Sequence, residues 1–337
     1  MSYLPFHTLD EYLDVIATLH PRLYAVLDLD RPGTADTLAV LAATSSEFDS
    51  DRDGRGDSYR RAQQDSLVRW TGIRALLGLA APVSPAGAPL VLDVLGGDGT
   101  LARAVSSRAD SFDSKPIIIT GDLSGRMIDA ALAQGLPAVR QAAQFLFLRD
   151  SSMHAVLLAY GTHHIPSEHR PTTVAEAVRV TRPGGRIVVH DFDESSPMAG
   201  FFAEVVHPHA AGGHAYTHFS RAELTALFRD AGLPARILDL SDPLIVRADT
   251  EQAAKARMCR YVADMYGIGD HFASLGDAEA AWRILERHFD HSSYRSTAPA
   301  TPPRPVVYRL NGQFVAEVPR MAIVAVAQKQ ERLPDAL

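Results

Sequence analysis

Cysteine is nearly absent from this chain of 337 residues: Cys259 is the only one, so no internal disulfide can form. That scarcity suits a reducing cytoplasm and removes the cysteine clusters on which many zinc sites are built. Cys259 lies in the helical stretch AAKARMCRYV and reads as a packing residue. Positive charge is also short. With 33 Lys and Arg against 40 Asp and Glu, the net charge of −7 leaves no basic face for general nucleic-acid binding. No uncharged apolar run approaches the ~20 residues of a membrane-spanning helix. The opening MSYLPFHTLDEYLD has no basic start followed by an apolar run, so no signal peptide is expected. Internal repeats are lacking too. With 46% apolar residues the chain can bury a large core, and a soluble, cytoplasmic enzyme is the expectation.

What is present centres on residues 91–122. VLDVL at 91–95 reads as a strand, Gly96-Gly97-Asp98-Gly99 as a tight turn, TLARAV at 100–105 as a helix, and IIITGD at 117–122 as a second strand. Glycines let the backbone approach a ligand where a Cβ would clash, and the free N–H groups of the following helix face the same point. Asp122, at the neighbouring strand tip, suits a ribose diol, which needs two acceptors side by side. The glycines do not match the dinucleotide fingerprint G-x-G-x-x-G. Asp93 directs a carboxylate into this turn, where it would repel a pyrophosphate and attract an ammonium group. A ligand with a ribose, no phosphate and an α-amino group is S-adenosylmethionine.

On these residues the chain resembles a known family. VLDVLGGDG at 91–99, GDLSGRMIDAA at 121–131, RDSSMHAVLLAYGTHHIP at 149–166 and EAVRVTRPGGRIVVHDF at 176–192 are similar, in order, to class I S-adenosylmethionine-dependent methyltransferases of the UbiE-like small-molecule branch. The resemblance implies an α/β, Rossmann-like, doubly wound sheet of seven strands with an antiparallel last strand. It also implies S-adenosylmethionine as cofactor, held by Asp93, Gly96, Gly97, Gly99, Asp122, Leu123, Met127, Gln144 and Tyr160. Three positions depart from the family: Leu95 replaces a usual glycine, and His154 the acid before the fourth strand. The adenine-contacting acid falls near Ala142, leaving Gln141 or Gln144 as partners.

Four segments are expected: an N-terminal helical cap with an acidic loop at 1–58, the core at 59–246, a helical insertion acting as a lid at 247–305, and a C-terminal hairpin at 306–330. The hairpin is expected to pair VVYRL with MAIVAVAQ and so complete the core sheet. Within the acidic loop, Asp49-x-Asp51-x-Asp53-Gly54 reproduces the opening of an EF-hand calcium loop. Its twelfth place should carry a bidentate glutamate and carries Arg60, so a solvated loop is expected instead.

Histidines, 14 in all, carry the second signal. His163 and His164 follow the fourth strand, where class I folds place acceptor-facing side chains; the alternative is a ring that merely caps the loop. His190 stands in an HDF setting in which the resemblance implies a base that removes the acceptor's proton, assisted by His164 or Asp191. Imidazole suits that task because its ordinary pKa is ~6.5. The alternative is a buried ring hydrogen-bonded to a carbonyl. His207, His209, His214 and His218 crowd the stretch VVHPHAAGGHAYTHFS, expected to be an irregular lid. With His163, two of them, His209 and His218, are expected on the acceptor's side. No metal is the primary expectation; in a second reading His190, His209 and His218 hold zinc or iron, which would chelate adjacent oxygens such as those of an α-keto acid. The expected partner is a small molecule, neither nucleic acid nor membrane, and a homodimer is left open. The leading function is methyl transfer to oxygen or an enolisable carbon. A non-methylating rearrangement and a silent cofactor-binding subunit are the alternatives.

Overall fold

A computed structural model describes residues 2–49, 55–81, 87–298 and 302–330. Seven strands form the main sheet: β1 (Leu90–Asp93), β2 (Ile117–Asp122), β3 (Ala138–Arg140), β4 (Met153–Leu158), β5 (Thr181–Asp191), β6 (Ala235–Ser241) and β7 (Met321–Gln328). Their spatial order is β3-β2-β1-β4-β5-β7-β6. The first five run parallel, and β7 lies antiparallel between β5 and β6, with Val324 opposite both His190 and Leu238. This is the expected doubly wound sheet with its antiparallel last strand.

Strand periodicity builds two cores from adjacent residues. Val156, Ile187 and Ile323 face one layer, with Ile128 and Phe228 from its helices. Leu157, Val188 and Val324 face the other, with Ile73 and Leu76. Both sheet faces are therefore covered, which is why β1 and β4 are mostly apolar rather than alternating, with only Asp93 and His154 polar. Chain order reverses between β1 and β4, and at such a switch point a crevice opens beyond the carboxyl ends of the strands.

The N-terminal segment is tied to this core. Helix Leu9–Leu19 starts at a reciprocal capping box between Thr8 and Glu11 and buries Tyr12 and Ile16, one turn apart. A further apolar cluster, including Met198, Phe201, Met258, Val262, Trp282 and Phe289, lies under helices Glu251–Tyr266 and Ala278–His288.

The C-terminal pairing differs from expectation. Asn311 and Gly312 have φ of 50° and 83°, the two left-handed residues of a two-residue hairpin turn. Such a turn pairs the residues immediately beside it, so Val306–Leu310 pairs with Gln313–Val318, not with MAIVAVAQ. That hairpin joins Leu244–Ala248 in a separate three-stranded antiparallel sheet, and only β7 enters the main sheet. The stretch expected as an irregular lid is helical only at its start: Val205 and Val206 end the π-helical turn Phe202–Val206, and His207–His209 close the run. No helix among the described residues is long and apolar enough to cross a membrane.

Candidate active site

The glycine-rich turn after β1 divides its labour. Gly97 (φ 57°) and Gly99 (φ 88°) take left-handed conformations, and Gly99 is the N-cap of helix Thr100–Ser107. A Cβ on Gly96 would sit 2.7 Å from Thr120 Cγ2, and one on Gly99 2.3 Å from Leu136, so these two permit packing. Gly97 instead lines a cavity of about 400 Å3, within the roughly 300–1,000 Å3 usual for small-ligand sites. Its N–H donates to Asp122 Oδ2 at 2.9 Å, and the Ser124 N–H donates to Asp122 Oδ1 at 2.9 Å. Two backbone amides thus aim this carboxylate, which burial pushes up to about 6. Asp93, behind the wall, is pushed up to about 7 by burial against the pull of Arg69. Asp98 is spent locally on Arg103 at 2.9 Å.

Leu123, Met127, Gln144 and Tyr160 join Gly97 and Asp122 in the cavity wall, while Asp93, Gly96 and Gly99 stand behind it. Gln141 adds a buried, unpaired Nε2 to the wall; its Oε1 accepts from the Phe147 N–H at 3.1 Å. Tyr160 has φ 63°, an uncommon conformation for a non-glycine residue and one that gathers at ligand sites. The Arg69 guanidinium lies 4.6 Å from its ring centroid, buried and with Nε unpaired. Tyr160 also donates to Asp242 at 3.4 Å, and Asp242 pairs with Arg320 at 2.5 Å. The only trace of Arg69 in the sequence was a cation inside the apolar pattern SLVRWTGIRALLGL.

Histidines form a second wall, where His163, His164 and His214 all line the same cavity. Their ring centroids are 4.5 Å (His163–His164), 5.1 Å (His163–His214) and 5.3 Å (His164–His214) apart. Asp191 organises them from behind. It accepts from the Thr162 hydroxyl, from the His163 and Phe192 N–H groups at 2.6 Å, and from His163 Nδ1 at 3.0 Å. Burial opposes its charge, yet His163 and His218 hold it well below the usual carboxylate range. Glu47, from the N-terminal segment, meets His164 Nδ1 at 3.1 Å and Arg55 Nε at 2.9 Å. Burial lowers His164 to about 4 and His214 to about 2, with the neighbouring rings adding to both, so these imidazoles are neutral.

Strand parity separates His190 from Asp191. Asp191 points to the histidine wall. His190 points the other way, fully buried, 4.7 Å from the Tyr160 ring and 3.8 Å from Asp242 Oδ2, with both ring nitrogens unpaired. It is not a cavity wall. His218 is buried against His163 and Asp191, one layer behind the surface of the cavity. His209 is exposed and stacks on His271 at 3.6 Å, away from the cavity. The trio His190, His209 and His218 is therefore not assembled. The groups able to hold an ion among the described residues are His163–His164–His214 and His163–Asp191–His218. Of the EF-hand-like stretch, Asp49 accepts from the Ser124 hydroxyl at 2.6 Å and the Arg126 N–H at 3.2 Å, bracing a helix start. Positions 50–54 lie outside the described residues.

Comparison with known proteins matches residues 91–185 to a family described as a methyltransferase domain. A ubiquinone/menaquinone biosynthesis C-methyltransferase UbiE from Brucella anthropi is 29% identical over 160 residues, 46% of this chain and 56% of that relative. Residues 91–185 carry a methyltransferase domain, and the chain is similar to the class I S-adenosylmethionine-dependent methyltransferases. It spans just over half the length of that UbiE relative. Another UbiE, from Dinoroseobacter shibae, is 25% identical over 181 residues. Among solved structures, the YcgJ protein from Bacillus subtilis superposes with a TM-score of 0.46 at 18% identity, covering 77% of this chain and 98% of that one. Phosphoethanolamine N-methyltransferase 2 from Haemonchus contortus gives 0.46 at 13% identity, covering 90% and 60%.

Proposed function

We propose that this methyltransferase domain moves a methyl group from S-adenosylmethionine to a small-molecule acceptor, at an oxygen or an enolisable carbon. The observation that carries the reading is one cavity with two chemically different walls: Gly97, Asp122, Gln141 and Tyr160 on one, His163, His164 and His214 on the other. The first wall fits the cofactor. Asp122 is aimed for a ribose diol, and the left-handed Gly97 keeps the turn free of a side chain. The unpaired Gln141 Nε2 offers a donor to adenine, and Arg69 in the same cavity offers a positive charge to the amino acid's carboxylate. When bound, S-adenosylmethionine supplies a methyl group already activated by its sulfonium.

This chain's residues then have three tasks: align the acceptor, exclude water, and offer a place for its proton. Alignment falls to the histidine wall with Tyr216, whose ring lies 4.2 Å from His164. Neutral imidazole nitrogens there provide the proton's acceptors. Water is excluded by residues 1–58 and 247–305 acting as cap and lid. Arg55 of the cap donates to the Met265 carbonyl at 3.0 Å, joining the two segments, and Arg61, just beyond the cap, pairs with Asp264 at 2.7 Å. Phe48 from the cap and Met265 and Tyr266 from the lid line the cavity, with Tyr59 beside them. His190 supports Tyr160 from behind. The UbiE relatives' name, a C-methyltransferase, favours carbon as the acceptor atom.

The test is incubation with isotopically labelled cofactor and a panel of small phenols, quinols and enolisable carbonyl compounds. Release of S-adenosylhomocysteine together with a labelled product supports the reading. Product lacking the label would favour a rearrangement, and cofactor binding without turnover of any acceptor a silent binding subunit.

A further inference from the structure

Three imidazoles converge where a single proton acceptor would suffice. We propose that His163, His164 and His214 bind a divalent transition-metal ion, zinc or ferrous iron, which in turn chelates an acceptor presenting two adjacent oxygens. The acceptor's part rests on the methyl-transfer reading; the ion site rests on the side chains alone.

The geometry supports a ligand set. Each histidine offers one ring nitrogen, and these nitrogens lie within 4.8 Å of one another. Zinc–nitrogen bonds of about 2.0–2.1 Å place tetrahedral ligands roughly 3.3 Å apart, so the ion would draw the rings together by rotations of order 1 Å. The support behind them is that of a metal site. Asp191 holds His163 Nδ1 at 3.0 Å, and Glu47 holds His164 Nδ1 at 3.1 Å. A carboxylate on Nδ1 places the proton there and leaves the lone pair on Nε2, the arrangement that orients ligating histidines. His214 needs no such partner: its ring stacks on Phe202 at 4.3 Å and 15°, and its buried Nε2 has no hydrogen bond.

The second group, His163–Asp191–His218, belongs to this support. Asp191 already accepts from the Thr162 hydroxyl and two backbone amides, which leaves it poorly placed to ligate. One group opposes the site as it stands. Arg55 Nη2 lies 3.2 Å from His164 Nε2 and must swing aside, towards the Glu47 carboxylate that it already meets through Nε. Three protein ligands leave open positions on the ion, as in catalytic zinc sites. An acceptor with neighbouring oxygens would fill them, and a negative charge on it would meet the displaced Arg55.

The experiment uses the full chain, stripped with a chelator and titrated with zinc by calorimetry, then with cobalt(II) followed by visible absorption. One ion per chain and a cobalt band of a four- or five-coordinate nitrogen site are expected. His163→Gln and His214→Gln should each weaken zinc at least about 100-fold, and Glu47→Gln about 10–100-fold, as loss of an outer carboxylate does. His209→Ala, at the exposed His209–His271 stack, should change nothing. Melting temperature and S-adenosylhomocysteine affinity are measured on every variant, so that a folding defect is separated from a lost ligand. No saturable zinc binding would overturn the proposal. So would binding that survives His163→Gln and His214→Gln but disappears with His209→Ala. Wild-type chain that binds zinc but not S-adenosylhomocysteine would refute the cofactor reading and leave the ion site standing.

Discussion

Gly72→Ala sets helix propensity against packing and predicts which wins. Gly72 lies within helix Trp70–Ala80, where alanine should be worth about 1 kcal/mol over glycine. Yet a Cβ on Gly72 would fall 1.7 Å from Asp242 Oδ1 and 2.9 Å from the Tyr160 hydroxyl oxygen. Asp242 cannot withdraw cheaply. It is fully buried, pairs with the buried Arg320 at 2.5 Å, and is pushed up to about 6 by burial despite that partner. Breaking a buried pair on one side costs about 3–5 kcal/mol, so the net expectation is a loss of ~2–4 kcal/mol. The assay is equilibrium urea unfolding of both proteins, with the same pair of measurements repeated in an Asp242→Ala background. There the 1.7 Å clash is gone and only the Tyr160 hydroxyl at 2.9 Å has to give, so Gly72→Ala should cost much less than in the original background. A Gly72→Ala chain as stable as the parent in the original background would refute the reasoning.

Other predictions follow from the same geometry. Asp122→Ala should weaken S-adenosylhomocysteine by about 1–3 kcal/mol in calorimetry, through loss of charge-assisted ribose contacts. Gly97→Val should abolish binding while leaving the fold intact by circular dichroism, because two methyl groups enter the cavity wall at a left-handed backbone position. His190 has its pKa lowered by burial to about 4, below the ~6.5 of an unfolded chain, so the folded state binds fewer protons. Its contribution is therefore complete above pH ~6.5 and lost as pH falls towards 4, by up to ~1.4 kcal/mol per pH unit. His190→Phe should flatten that part of the stability profile by this amount. An unchanged profile would contradict the assignment of His190 as a buried, neutral ring.

Much of the sheet was legible because its signals are local. A strand, a glycine turn, a helix and an acid at the next strand tip are read within about thirty residues, and Asp122 lies in the cavity wall as the pattern suggested. The histidine wall was legible only in part. His163 and His164 follow β4 directly, but His214 reaches them across the fold, and Glu47 and Arg55 arrive from the N-terminal segment. Such contacts depend on tertiary packing and leave no periodic trace. His190 and Asp191 show a sharper limit: one residue of strand parity decides which side chain meets the histidines. Hairpin pairing failed for a different reason. Asn311-Gly312 marks the turn, but the pairing goes to the short adjacent strand Gln313–Val318 and not to the more apolar MAIVAVAQ.

The central claim is that Gly97 and Asp122 hold the nucleoside of S-adenosylmethionine while the histidines face the acceptor. A crystal structure of the chain with S-adenosylhomocysteine tests it most directly. The account predicts the ribose diol on the Asp122 carboxylate, adenine beside Gln141 and Gln144, and the sulfur facing His163, His164 and His214. Nucleoside density anywhere else, or a Gly97–Asp122 wall left empty at saturating ligand, would contradict it.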